Sequence, residues 1–278
     1  MVYCGIVGAL NPLGQRVVNF LKDKTDEYRI VFCVDKDYIV NSPSAATYAS
    51  VEAALSFNQP PTVIIDCDDP SDALERAKSY RFYAVSAIMC CTCTPDELDT
   101  LTRVYGVEEV PTPSILTVPD FSICHTRLMT YFQRMGGRHI NDTDRLEIEI
   151  HLAANQKLNV AVWVSWAQMF NAIYGTDVAK PSIKGSSCYC GKVIIRAVTD
   201  EAIPSGGEEV NVRLFYGSIG HLNFTFMKNA CKDLDGDCVD GIAKLLEWFN
   251  ANPDEISTGK VFTNHLSTVL FANKKNLH

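Results

Sequence analysis

Three groups of residues have types and spacings suited to chemistry. The first is Gly8-Ala9-Leu10-Asn11-Pro12-Leu13-Gly14, which follows the short apolar run 2–7. A tight strand-to-helix turn of this kind aims backbone N–H groups and a helix N-terminus at a phosphate. Gly8 permits the turn, and Gly14 permits close packing of helix on sheet. Asn11 stands where a middle glycine is expected, and Asn tolerates left-handed backbone better than most residues. Asp35 lies 21 residues after Gly14, at the end of a second apolar run. An acid there accepts hydrogen bonds from an adenosine ribose, while Lys36 beside it suits a 2′-phosphate, so NADH and NADPH both stay open. Gly8, Asn11, Pro12, Leu13, Gly14, Asp35 and Lys36 are the expected cofactor contacts of this region.

The second group is the stretch EIEIHLAANQKLNVAVWVSW at 147–166. Its alternation is that of a strand, and it ends in a polar cluster of His151, Asn155, Gln156, Lys157 and Asn159. In α/β enzymes catalytic groups often stand at such a strand end. The third group is the cysteines, 11 in all, an odd number that includes Cys90-Cys91-x-Cys93 and Cys188-x-Cys190. Cys90 and Cys93 stand at C-x-x-C spacing, but Cys188 and Cys190 do not match it with a second such pair, so no metal site is expected, and free thiols in a reducing compartment are the expected state. Asp233-x-Asp235-Gly236-Asp237 resembles the start of a calcium loop, but Cys238 and Lys244 occupy the positions that need Gly and Glu. It reads as a turn leading to a helix at 241–249.

A net charge of −8 without a basic tract argues against a nucleic-acid partner. The opening MVYCGIVGALNPLG lacks the features of an export signal, and no apolar run has membrane-spanning length. A cytoplasmic location with no membrane partner is expected.

The elements that must position these residues alternate at first. Apolar strands are expected at 2–7, 29–34, 63–65, 83–89 and 114–118, with helices between them. Thr94-Pro95-Asp96-Glu97 has the form of a helix start, and Ser122 opens or closely precedes a helix to about residue 134. This order implies a parallel sheet covered on both faces. Beyond Gly136-Gly137 the pattern changes to strands at 146–152, 192–198, 210–216 and 222–228. The last two flank the hairpin signal Gly217-Ser218-Ile219-Gly220. The expected fold is α/β: a Rossmann-type parallel sheet plus a second α+β domain with a mixed sheet. The expected division is 1–130 for dinucleotide binding, 131–235 for substrate and oligomer contacts, and 236–278 returning to the first domain.

The order of landmarks resembles the dihydrodipicolinate reductase family. The resemblance spans nearly the whole chain, through the glycine turn, Asp35, and Val63-Ile64-Ile65-Asp66-Cys67-Asp68-Asp69-Pro70 in place of the family's apolar strand and D-F-T-x-P. Cys91-Thr92-Cys93-Thr94 stands for G-T-T-G, and Val118-Pro119-Asp120-Phe121-Ser122 for A-P-N-F-S. Gly241-Ile242-Ala243-Lys244 is similar to the family's late G-A-x-x-A helix. The resemblance implies cofactor contacts from Cys67, Thr92, Cys93, Pro119 and Phe121, and a homotetramer built through the second sheet.

The family motif H-H-x-x-K-x-D-A-P-S-G-T is largely replaced. Aligned on Lys157, the histidines become Ala153-Ala154 and Ser-Gly-Thr becomes Val162-Trp163-Val164. Alanine cannot transfer a proton. The resemblance leaves Lys157 and His151 as the candidate catalytic residues, and Asn155, Lys157, Trp163 and Val164 as candidate substrate contacts. His151 also reads as a satisfied structural histidine, and Trp163 with Trp166 has the helical spacing of core residues. Three functions follow. The chain is an NAD(P)H-dependent reductase with an altered site and an imine or enamine substrate, or a non-catalytic binding or scaffold protein on an inherited fold. The third reading, 4-hydroxy-tetrahydrodipicolinate reductase of lysine biosynthesis, is chemically the weakest.

Overall fold

The computed structural model describes residues 1–37, 45–57, 59–90, 100, 103, 113–117, 122–123, 125–128, 130–131, 145–154, 163–164, 166–167, 170–171, 181–203, 208–216, 220–227, 234–256 and 261–263. The chain divides into two compact units, Met1–Ile123 with Cys238–His278, and Cys124–Asp237.

The first unit is built on β1 (Val2–Val7), α1 (Pro12–Lys22), β2 (Tyr28–Val34), β3 (Ala46–Tyr48), α2 (Val51–Phe57), β4 (Val63–Asp66), α3 (Ala73–Phe82), β5 (Ala87–Met89) and β6 (Ile115–Thr117). A final strand, Val261–Thr263, adds beside β6. The central strands read as near-continuous apolar runs because both faces of the sheet are covered. One face buries Cys4, Ile6, Ile65 and Ile88 against Val17 and Leu21 of α1 and against Ile242, Leu245, Leu246 and Phe249 of the helix Leu234–Ala251. The other buries Val7, Phe32, Ile64 and Met89 against Val51 and Ala54 of α2 and Ala77 and Tyr80 of α3. All neighbouring strands are parallel. From β1 the chain steps outward one way to β2 and β3, and the other way to β4, β5 and β6. The order therefore reverses between β1 and β4, and a crevice for a ligand opens beyond the carboxyl ends of strands at such a point.

The second unit carries a six-stranded mixed sheet built from β7 (Arg145–Leu152), β8 (Ser182–Lys184), β9 (Ser187–Cys190), β10 (Val193–Thr199), β11 (Glu208–Tyr216) and β12 (Gly220–Met227). β7 is central, parallel to β10 and antiparallel to β11. Its alternation sends Leu146, Ile148, Ile150 and Leu152 to a core shared with Trp163, Trp166, Ala167 and Phe170, which have helical backbone. Glu147, Glu149 and His151 lie on the opposite face.

Two expectations are corrected. The strand expected at 83–89 begins only at Ala87, because α3 runs to Phe82 and the chain turns through Ala84 at φ 53°. Asp235, Gly236 and Asp237 lie inside the helix Leu234–Ala251 rather than in a turn before it. An acid-rich first turn suits the positive end of a helix. The short strands β3, β8 and β9 and the strand Val261–Thr263 were not expected. The segments 94–97 and 217–219 lie outside the described residues. Among the described residues no helix is long and apolar enough to cross a membrane, and no cluster of His, Cys, Asp or Glu could hold a metal ion.

Burial decides the chemistry of several cysteines. It pushes the Cys4 thiol from 9.0 to about 12 and the Cys33 thiol from 9.0 to about 11. Burial, with the charge of Glu27 next, also pushes Tyr28 from 10.0 to about 12. A group whose folded value is raised contributes stability that is full below its unfolded value and is lost as pH rises toward the folded one. Urea midpoints should therefore fall steadily as pH rises from 9.0 toward about 12. A midpoint unchanged over that window would contradict the burial of these groups.

Candidate nucleotide site at the β1–α1 turn

The apolar run of β1 ends at Val7, and Gly8 turns the chain with φ 68°. Gly8 N–H donates to the Val34 carbonyl at 2.9 Å, and Asn11 N–H closes the turn on the Gly8 carbonyl at 3.1 Å. A Cβ on Gly8 would lie 2.6 Å from the backbone nitrogen of Asp68, so the loop after β4 packs directly on this glycine. A Cβ on Gly14 would press into the Gly8 carbonyl oxygen, so α1 approaches the turn as closely as a backbone can. Asn11 is the N-cap of α1 with extended backbone, and its side chain makes no cap hydrogen bond. Pro12 is the first helical residue, where its missing N–H leaves no intrahelical bond unmade.

Asp35 stands just beyond β2. Its Oδ2 accepts from Leu10 N–H at 2.9 Å and its Oδ1 from Asp37 N–H at 3.2 Å. The acid is thus fixed beside the glycine turn. Lys36 does not join it. Its Nζ lies 2.9 Å from Asp72 Oδ2, and that hydrogen bond, with the charge of Asp72, holds the ammonium above its ordinary range.

The β4 loop completes the site. Cys67 is buried, donates its N–H to the Val7 carbonyl at 2.9 Å and presents its own carbonyl to Asn11 Nδ2 at 3.0 Å. Asp66, fully buried, anchors this loop. Its Oδ2 accepts from Arg76 Nε at 2.8 Å and from Tyr80 Oη at 2.7 Å, and its Oδ1 accepts from Asp68 N–H at 3.1 Å. Arg76 also donates to the Asp69 carbonyl at 2.9 Å. Arg76, Tyr80 and Asp68 are the site residues that reading the sequence missed. The available signal was Asp66, a carboxylate ending an apolar strand, which burial obliges to find a cation. Arg76 and Tyr80 follow it at helical i, i+4 spacing.

The remaining candidates fall elsewhere. Thr92, Cys93, Pro119, Phe121, Asn155 and Lys157 lie outside the described residues. His151 belongs to the polar face of the second unit's sheet. Its Nδ1 lies 3.3 Å from Asp200 Oδ2 and its Nε2 3.8 Å from Glu149 Oε2. The second distance is too long for a hydrogen bond. Glu149 also lies 3.3 Å from Arg213. Trp163 is buried and Val164 partly buried in the core of the second unit, the packing that helical spacing gives such residues by default. Ala153 is buried at the end of β7 and Ala154 exposed.

No protein-family model and no curated protein matches the chain. Solved structures do match. A dipicolinate-bound dihydrodipicolinate reductase from Paenisporosarcina sp. TG-14 is 14% identical with a TM-score of 0.66, covering 96% of this chain and 98% of that one. The fold is one shared by dehydrogenases and reductases. A myo-inositol 2-dehydrogenase from Lactobacillus plantarum is 12% identical with a TM-score of 0.61, over 98% of this chain and 95% of its own. A dehydrogenase from Thermus thermophilus, solved with NAD and UDP-GlcNAcA, is 9% identical with a TM-score of 0.56, over 97% and 94%. The likeness extends across enzymes of different substrates and establishes the α/β fold, with its Rossmann-type sheet and mixed second sheet.

Proposed function

We propose that the chain is a nicotinamide-dinucleotide-dependent reductase whose substrate differs from that of dihydrodipicolinate reductase. The observation that carries this reading is the β1–α1 turn, where neither Gly8 nor Gly14 has room for a Cβ and Asp35 is tied to the turn by Leu10. Such a cradle admits a pyrophosphate against the backbone, with Asp35 receiving ribose hydroxyls. The bound dinucleotide would supply a hydride. The chain's own part is to hold it by Gly8, Leu13, Gly14 and Asp35, with Cys67 at the β4 loop. The substrate is an imine or enamine, with Lys157 as its anchor and His151 as the remaining nearby proton carrier in sequence. Loss of the Ser-Gly-Thr turn argues for a substrate less acidic than a dicarboxylate.

NADH is the preferred cofactor. The Lys36 ammonium is committed to Asp72, which leaves the Asp35 carboxylate to face any 2′-phosphate. Nicotinamide-fluorescence titration should give NADH a Kd at least about tenfold below that of NADPH, a difference of about 1.4 kcal/mol. Equal or reversed affinities would refute this selection.

A second reading, a non-catalytic binding protein on the same fold, is favoured by one observation. Ala153 and Ala154 follow β7 where the resemblance expects a histidine pair, and neither can move a proton. Oxidation of NADH in the presence of cyclic imines, reduced in rate by Lys157→Ala, supports the reductase. Binding of NADH without turnover of any imine supports the second reading.

A further inference from the structure

The point where the strand order reverses holds a fixed negative charge. Asn11 Nδ2, besides its bond to the Cys67 carbonyl, lies 3.5 Å from Asp68 Oδ1. The Asp68 backbone abuts Gly8. Its N–H is held by Asp66, its Oδ1 accepts from Asp69 N–H at 2.8 Å, and its Oδ2 lies 3.7 Å from an Arg76 nitrogen. The carboxylate is therefore restrained from both sides, with its side chain 24% exposed. Arg76 offsets it only in part, because the same guanidinium is engaged at shorter range by the buried Asp66. Pro12 removes one N–H from the first turn of α1, and the Asn11 side-chain amide is turned to the β4 loop. Where a phosphate would meet the positive end of α1, the chain supplies one donor fewer and one carboxylate more than a bare glycine turn.

We propose that Asp68 is an affinity-setting residue, whose carboxylate makes dinucleotide binding at this turn weaker than the same turn would give without it. The inference rests on the nucleotide reading above. Its consequence is fast release, since affinity differences at one site fall mostly on the off-rate. The dinucleotide then exchanges as a cosubstrate and is not retained.

The test compares NADH affinity in the wild type, Asp68→Asn and Asp68→Ser, by nicotinamide fluorescence on the full chain. Asn keeps the shape and an acceptor oxygen for Asp69 N–H, removes the charge and turns the other oxygen into a donor, while Ser removes the carboxylate altogether. At about 0.01 M ionic strength, where the Debye length is about 30 Å, both variants should bind about fivefold to tenfold more tightly than the wild type. At about 1 M, where it is about 3 Å, the gain should shrink to less than about twofold. Asp26→Asn, in the loop that enters β2, should leave affinity unchanged. Equal affinities of wild type and variants at low salt would overturn the inference alone, as would a gain that persists at high salt. Binding by none of the proteins would remove the nucleotide reading and this inference with it.

Discussion

Arg76→Ala is expected to lower the unfolding free energy by about 3–5 kcal/mol, the usual effect of removing one partner of a buried ion pair. Asp66 has no access to water, and Arg76 is its only cationic partner among the described residues. Tyr80 remains as a neutral donor at 2.7 Å, which satisfies the carboxylate in part without balancing its charge. Urea denaturation measures the loss. Asp66→Asn in the Arg76→Ala background should recover part of it, because the uncompensated charge is then gone. A loss below about 1 kcal/mol would place the pair with ordinary surface ion pairs and contradict its burial. The same variant should weaken nucleotide binding, because Arg76 also holds the Asp69 carbonyl and with it the loop that Asn11 grips.

Gly14→Ala is expected to reduce NADH affinity at least tenfold. The added methyl has nowhere to go, since it meets the Gly8 carbonyl oxygen, a backbone atom that cannot swing aside. The start of α1 must move away from β1, carrying the Leu13 and Gly14 N–H groups off the proposed phosphate position. Overpacking of this kind costs about 1–3 kcal/mol in stability, so the variant should still fold and its affinity remain measurable. A variant with wild-type affinity would mean that the turn is a packing device and not a phosphate cradle.

Much of this architecture was legible in the residues. Buried parallel strands must be apolar throughout, so 2–7, 29–34 and 63–65 stood out, and the pairing of the Gly8 turn with Asp35 followed from their separation alone. The alternation of 146–152 identified a sheet with one apolar face, and the strand observed is Arg145–Leu152. Short edge strands carry too few residues to show a period, which is why Ala46–Tyr48, Ser182–Lys184 and Val261–Thr263 went unread. The strand expected at 83–89 was overlong because its aromatic start belongs to the end of α3. The meeting of Asn11 with Cys67 and Asp68 was not legible. It joins loops more than 50 residues apart, and only the parallel pairing of β1 with β4 brings them together. Asp68 stood only as one position of the stretch Val63–Pro70, and its place beside Gly8 depends on that same register.

The proposed function requires that a nicotinamide dinucleotide seat at the β1–α1 turn. The most direct test follows backbone amide resonances of the isotopically labelled chain during addition of NADH. Saturable shifts at Leu10, Leu13, Gly14 and Asp35, with a Kd below roughly 100 μM, are the result expected of an ordinary cofactor affinity. Unmoved resonances at millimolar NADH, or shifts that leave those four residues untouched, would contradict the claim.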